Sequence, residues 1–155
     1  MKTTMKLSEA IRLGAVMRPQ AFGMMKSQPE LRPVYREIDP NAVFDPRGMV
    51  EVRVEQVYST CAWGAALDAI GILDDTKKIA DVAPHWLEIY KYSRSCPSCG
   101  VTQSGSIIIH LNDWHMWPRE RIADWVESIE RLMESRQEKI TEQLKQEQVC
   151  ETSLA

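Results

Sequence analysis

Residues 93–117 read SRSCPSCGVTQSGSIIIHLNDWHMW and gather two of the chain's four cysteines and two of its three histidines into one short stretch. Cys96 and Cys99 stand in SCPSCG, where Pro97 stiffens the turn and Gly100 can take the left-handed backbone that aims N–H groups at thiolates. His110 and His115 follow, giving the pattern C-x2-C-x10-H-x4-H. Two sulfurs and two imidazole nitrogens suit tetrahedral zinc better than an iron–sulfur cluster, which draws on four cysteines. Four protein ligands also leave no position for water, which makes the expected zinc structural rather than catalytic. Without a metal, the same residues would be ordinary cysteines and core histidines that happen to lie together.

Two histidines five apart on an unbroken α-helix diverge by about 140°, so the helix must tighten or stop between them. Ser106 can open a short helix through Ile107, Ile108, Ile109 and His110, and Asn112 and Asp113 can end it. A DNA-reading finger carries Arg, Asn, Gln or Lys on the helix near its second ligand pair. Gly100 to His115 contains no Lys or Arg. Ile107, Ile108, Ile109, Leu111 and Trp114 are residues that want burial, so the segment reads as a staple whose folding the metal drives. Asp113 reads as a helix-end carboxylate, or else as one that orients a ligand histidine.

Outward from this stretch the signals are mostly helical. LSEAIRLGAVM at 7–17 puts Leu7, Ile11 and Ala15 at helical spacing, with Ser8 as a cap and Glu9 in the first turn. Five of the eight prolines fall between Pro19 and Gly48, which predicts an irregular wrap. After the turn-like DPRG at 45–48, Val50, Val52 and Val54 alternate with charged residues, predicting one short hairpin or edge strand. STCAWGAALDAIG at 59–71 predicts a helix with Ser59 or Thr60 as cap, an alanine-rich packing face, and Gly71 as its stop. Residues 76–92 resume helical character, with Pro84 ending one turn or beginning another.

The last third holds the longest helix signal. Ile122, Val126, Ile129 and Met133 form a seam that weakens after about two heptads, and Cys150 is expected as a free surface thiol near its end. The five tryptophans, Trp63, Trp86, Trp114, Trp117 and Trp125, are expected to build the core. The fold class that follows is mainly α, of the α+β kind. Residues 1–92 form a helical region with its proline-rich wrap at 19–48, 93–118 the zinc-binding segment, 119–148 the C-terminal amphipathic helix and 149–155 a tail.

Composition bounds the function. A chain of 155 residues, 44% hydrophobic and 26% charged, fits one domain with a real core. The net charge of −3 hides a gradient, with nine Lys or Arg against seven Asp or Glu over residues 1–60, and six against ten over 96–155. Such a balance argues against clamping a phosphate backbone. Glu9 and Arg12 interrupt what a signal peptide would need to be apolar, no segment reaches a membrane span, and CxxC spacing favours metal over disulfides. The expectation is a cytoplasmic protein.

LSEAIRLGAVMRPQ, CAWGAALDAIG, and CPSCG followed by IIHLNDWHMWPRERIADWVESIE together make the chain, over most of residues 6–131, resemble a family of uncharacterised small proteins of bacterial and prophage or phage genomes. In that pattern the CPxCG pair and the histidines of HLNDxH look like a zinc-finger-type site, here Cys96, Cys99, His110 and His115. The chain departs from it at Pro118, where a capping serine is usual, and at Trp114, where the pattern tends to be acidic. The resemblance implies a bacterial or phage setting and no assigned activity.

Three functions compete. A protein-interaction or regulatory module, with another protein as partner, follows from a closed metal, no base-reading side chains and a long acidic helix. A nucleic-acid-binding zinc finger draws on the metal and on scattered N-terminal cations, which more often form a solvated face. A cysteine-nucleophile enzyme would use Cys61, placed where a helix N-terminus lowers a thiol pKa, with His85 as base. A buried cysteine on a packing face is the bland alternative.

Overall fold

The computed structural model describes residues 2–35, 52–92, 95–102 and 106–153. Pro40, Pro46, the turn expected at 45–48 and the side chain of Cys150 lie outside them. Helices dominate, joined by one two-stranded ribbon.

Helix α1, Leu7–Met17, buries Leu7, Ala10, Ile11 and Gly14. Ser8 is not its cap. The N-cap is Lys6, whose N–H donates to the Glu9 carboxylate at 3.3 Å. Ser8 sits within the first turn, where its backbone N–H and hydroxyl donate to the two oxygens of Glu130 at 3.2 and 2.6 Å. A helix N-terminus offers unpaired N–H groups and a positive dipole end, and a carboxylate serves both better than a local hydroxyl does. Glu130 comes from the C-terminal helix, 122 residues away, which no local pattern could disclose.

Strands β1, Glu30–Tyr35, and β2, Val52–Val57, pair antiparallel from Glu30 opposite Val57 to Tyr35 opposite Val52. The hairpin reading is met by β2, but the wrap is not irregular throughout, because β1 lies within it. Pro33 stands opposite Val54. A two-stranded ribbon consists only of edges, so a proline whose missing N–H falls on the outer side removes no ladder bond.

Helix α2, Ala62–Ala69, is the alanine-rich element. Ala62, Ala65, Ala66 and Leu67 are wholly buried, and Gly71, at φ +73°, follows it as the expected stop. A 3₁₀ turn at Thr76–Lys78 leads into α3, Ile79–Val82, and Pro84 then opens α4, Pro84–Lys91. Trp86 on α4 is fully buried and donates its indole N–H to the Met5 carbonyl at 2.9 Å. Trp63 packs edge-on against it, with ring centroids 6.5 Å apart.

Two further helices complete the fold: α5, Ile107–Asp113, and α6, Arg119–Ser153. Helix α6 begins directly after Pro118, whose carbonyl accepts the Ile122 N–H. Ile122, Ala123, Val126 and Ile129 join the single core, Met133 is half-buried, and Ile140 and Leu144 are exposed. The seam therefore fades as its heptads predict. The helix runs through Ser153 rather than giving way to a tail at 149. At 1.5 Å per residue it is about 50 Å long, and its second half stands outside the core.

Arg119 joins these elements. Its guanidinium is buried and donates to Thr60 Oγ1 at 3.1 Å, to the Thr60 and Pro19 carbonyls at 3.3 Å, to the Ala15 carbonyl at 3.1 Å, and to the Arg18 carbonyl. Ala15 and Arg18 belong to the C-terminal end of α1, the negative end of its dipole, which a cation complements. Burial pulls the Arg119 pKa below its ordinary value, yet guanidinium stays charged in proteins. Arg119→Met is expected to strand these acceptors at a cost of about 3 kcal/mol. Arg119→Lys should recover only part of it, because ammonium lacks the planar fork. Chemical denaturation of both variants measures the two costs, and equal stability of Arg119→Met and the parent would overturn the role.

Candidate metal centre

The knuckle is a tight reversal closed by a bridge between Ser95 and Thr102. Within it the Cys96 N–H donates to the Val101 carbonyl at 3.0 Å and the Gly100 N–H to the Cys96 carbonyl at 2.8 Å. Gly100 takes φ +72°, the left-handed conformation the spacing called for. The Ser98 N–H donates to Cys96 Sγ at 3.4 Å, so a backbone dipole faces the sulfur. Cys96 is buried in the common core, and Cys99 is exposed.

Helix α5 supplies the other two donors by stopping. His110 lies within it, the helix ends at Asp113, and the His110 carbonyl accepts N–H groups from both Trp114 at 3.0 Å and His115 at 3.3 Å. This wide last turn swings His115 back over His110. Met116 then takes φ +50°, a left-handed value uncommon outside glycine, and Trp117 N–H closes onto the Leu111 carbonyl at 3.0 Å.

The result is convergence. Cys99 Sγ lies 3.4 Å from His110 Nε2, and His110 Nε2 lies 3.2 Å from His115 Nε2. One donor atom from each of Cys96, Cys99, His110 and His115 falls within 4.8 Å of all the others, a group that could hold a metal ion. Zinc–sulfur and zinc–nitrogen bonds of about 2.3 and 2.05 Å at tetrahedral angles imply S···N and N···N edges of about 3.6 and 3.3 Å. The two separations, 3.4 and 3.2 Å, lie within about 0.2 Å of those edges. Facing imidazole nitrogens can share at most one proton along their edge, whereas a cation satisfies all four donors together.

Core packing fixes the frame around the donors. Ile107, Ile108 and Leu111 are buried on α5, so the helix is docked on its own domain rather than presented to a groove. Asn112, read from sequence as a terminator, is fully buried and makes four hydrogen bonds. Its carbonyl oxygen accepts from Gln20 Nε2 at 3.0 Å and the Ala62 N–H at 3.1 Å, and its amide donates to the Ala21 carbonyl at 2.8 Å and Asp113 Oδ1 at 2.6 Å. The amide thus pins α5 to the start of α2. Asp113 Oδ1 accepts from Asn112, and among the described residues no hydrogen bond joins it to His110 or His115.

Trp114 departs from the core expectation and is 77% exposed. It caps the C-terminal end of α5, where the helix stops, four residues after His110. Its ring lies parallel to the His110 imidazole, with centroids 6.4 Å apart and planes 10° apart. Met116 and Val101 are also exposed, Val101 two residues after Cys99 and Met116 directly after His115.

The proposed nucleophile and base are engaged elsewhere. Cys61 is the N-cap of α2 and buried, its sulfur accepting the Gly64 N–H at 3.3 Å. Burial pushes its thiol pKa up, outweighing the backbone N–H groups that pull it down, so the helix-terminus effect expected from sequence is reversed. His85 Nε2 donates to the Met5 carbonyl at 3.0 Å.

Comparison with protein-family models, curated proteins and solved structures finds no match to this chain. Among the described residues, no helix is long and apolar enough to cross a membrane.

Proposed function

We propose that the chain is a zinc protein in which one structural ion staples the CxxC knuckle to α5, and that the stapled unit serves as a protein-interaction or regulatory module. The convergence of two sulfurs and two imidazole nitrogens carries this reading. Soft thiolate and imidazole donors select zinc over magnesium or calcium, and four protein ligands close the coordination sphere against water. The ion would then hold geometry and perform no hydrolysis.

Support for an interaction role comes from what surrounds the ligands. Trp114, Met116 and Val101 are large apolar residues left exposed beside them, and tryptophan is prominent among residues that anchor protein partners. The family resemblance extends the proposal to a bacterial or phage cytoplasm.

Elemental analysis of protein purified without added metal should return about one zinc per chain. Cys99→Ser and His115→Ala should each lower that ratio sharply. Wild-type protein carrying no zinc, or zinc unaffected by either change, would end the metal reading. Trp114→Ala, which leaves the ligands in place, should keep the zinc while losing capture of a specific partner from host extract.

A further inference from the structure

A second candidate site borders α5 at Ile109 and Asp113, and its chemistry differs. A cleft of about 350 Å³ opens beside α2, lined by Met24, Met25, Cys61, Trp63, Tyr90 and Asp113 among others. Its volume falls within the range that admits a small molecule. Trp63 and Tyr90, which both line the cleft, pack on each other with ring centroids 4.6 Å apart and planes tilted 44°. Among the lining residues only Asp113 carries a formal charge. Its Oδ1 accepts Asn112 Nδ2, and among the described residues no lysine or arginine pairs with it.

From this combination we infer that the cleft is a binding site for a small organic cation, an alkylammonium group whose charge faces Asp113 and whose methyl groups rest on Trp63 and Tyr90. Aromatic faces attract a cation through their quadrupole, and the attraction grows as water is excluded. Methionine adds polarizable contact without competing charge. A neutral apolar ligand would desolvate the Asp113 carboxylate without compensating it, and an anion would be repelled. Cys61 contributes an uncharged thiol, since burial and the neighbouring Asp113 charge both raise its pKa.

Choline and its uncharged carbon isostere, 3,3-dimethyl-1-butanol, separate charge from shape, and both can be titrated into the full-length metal-loaded chain by NMR. Choline should bind saturably, and the isostere about tenfold more weakly. Asp113→Asn preserves the acceptor for Asn112 and should lower choline affinity about tenfold, with zinc content measured alongside because His115 is two residues away. Tyr90→Leu, on α4, should weaken choline several-fold and leave the isostere unchanged. Equal affinity for the two probes, no saturable choline binding, or indifference to both substitutions would overturn the site. Elemental analysis of the same samples separates loss of the ion from loss of the cleft.

Discussion

Stripping the metal with a strong chelator, or replacing Cys99 with serine, is expected to lower the unfolding temperature by at least about 10 °C, through a loss of roughly 4 kcal/mol or more. Structural zinc in isolated fingers is worth about 10–16 kcal/mol, most of it spent on folding the segment that binds it. Here the segment also supplies the domain core. Cys96, Ile107, Ile108 and Leu111 pack in the same cluster as Ile122, Val126 and Ile129, so the loss cannot stay local. Near-ultraviolet circular dichroism should fall as Trp114 leaves the His110 ring, and zinc, but not magnesium, should restore it. Superimposable melting curves with and without chelator would show that the knuckle holds itself.

Gly14→Ala is expected to cost about 4 kcal/mol, although alanine is the better helix former by about 1 kcal/mol. A Cβ at Gly14 would lie 2.0 Å from the Ala65 carbonyl oxygen and 2.5 Å from its carbonyl carbon. Both are backbone atoms of α2 and cannot rotate aside. To relieve the clash α1 must lift, but its first turn is held by Glu130 and its last by Arg119. Gly71→Ala supplies the contrast: a Cβ there meets nothing within 4 Å, so its only penalty is the positive φ, about 1 kcal/mol. Thermal melts of the two variants compare them directly, and a Gly14→Ala protein as stable as the parent would refute the close helix contact.

Periodicity and spacing carried much of this architecture. The alternation of Val52 and Val54 marked β2, the alanines of α2 marked a close-packing face, and the fading of the apolar seam after Met133 marked where α6 leaves the core. The clustering of Cys96, Cys99, His110 and His115 was legible because CxxC spacing and paired histidines are short-range signals. Where readings failed, the partner was distant in sequence. Ser8 looked like a cap, but Glu130 takes that role from across the chain. Pro33 looked like loop because a strand's environment, edge or centre, is invisible until its partner is known. Trp114 looked like core, and its exposure depends on where α5 stops.

Local chemistry was therefore sufficient to name the four donors, the helices and their apolar faces, since each depends on residues within a few turns of one another. The assembled chain alone settled that α1 and α2 touch through Gly14 and Ala65, that Arg119 and Asn112 hold three segments together by buried hydrogen bonds, and that Cys61 is raised in pKa rather than activated. Burial and desolvation are properties of the folded packing, and they reverse what a residue's immediate neighbours would suggest.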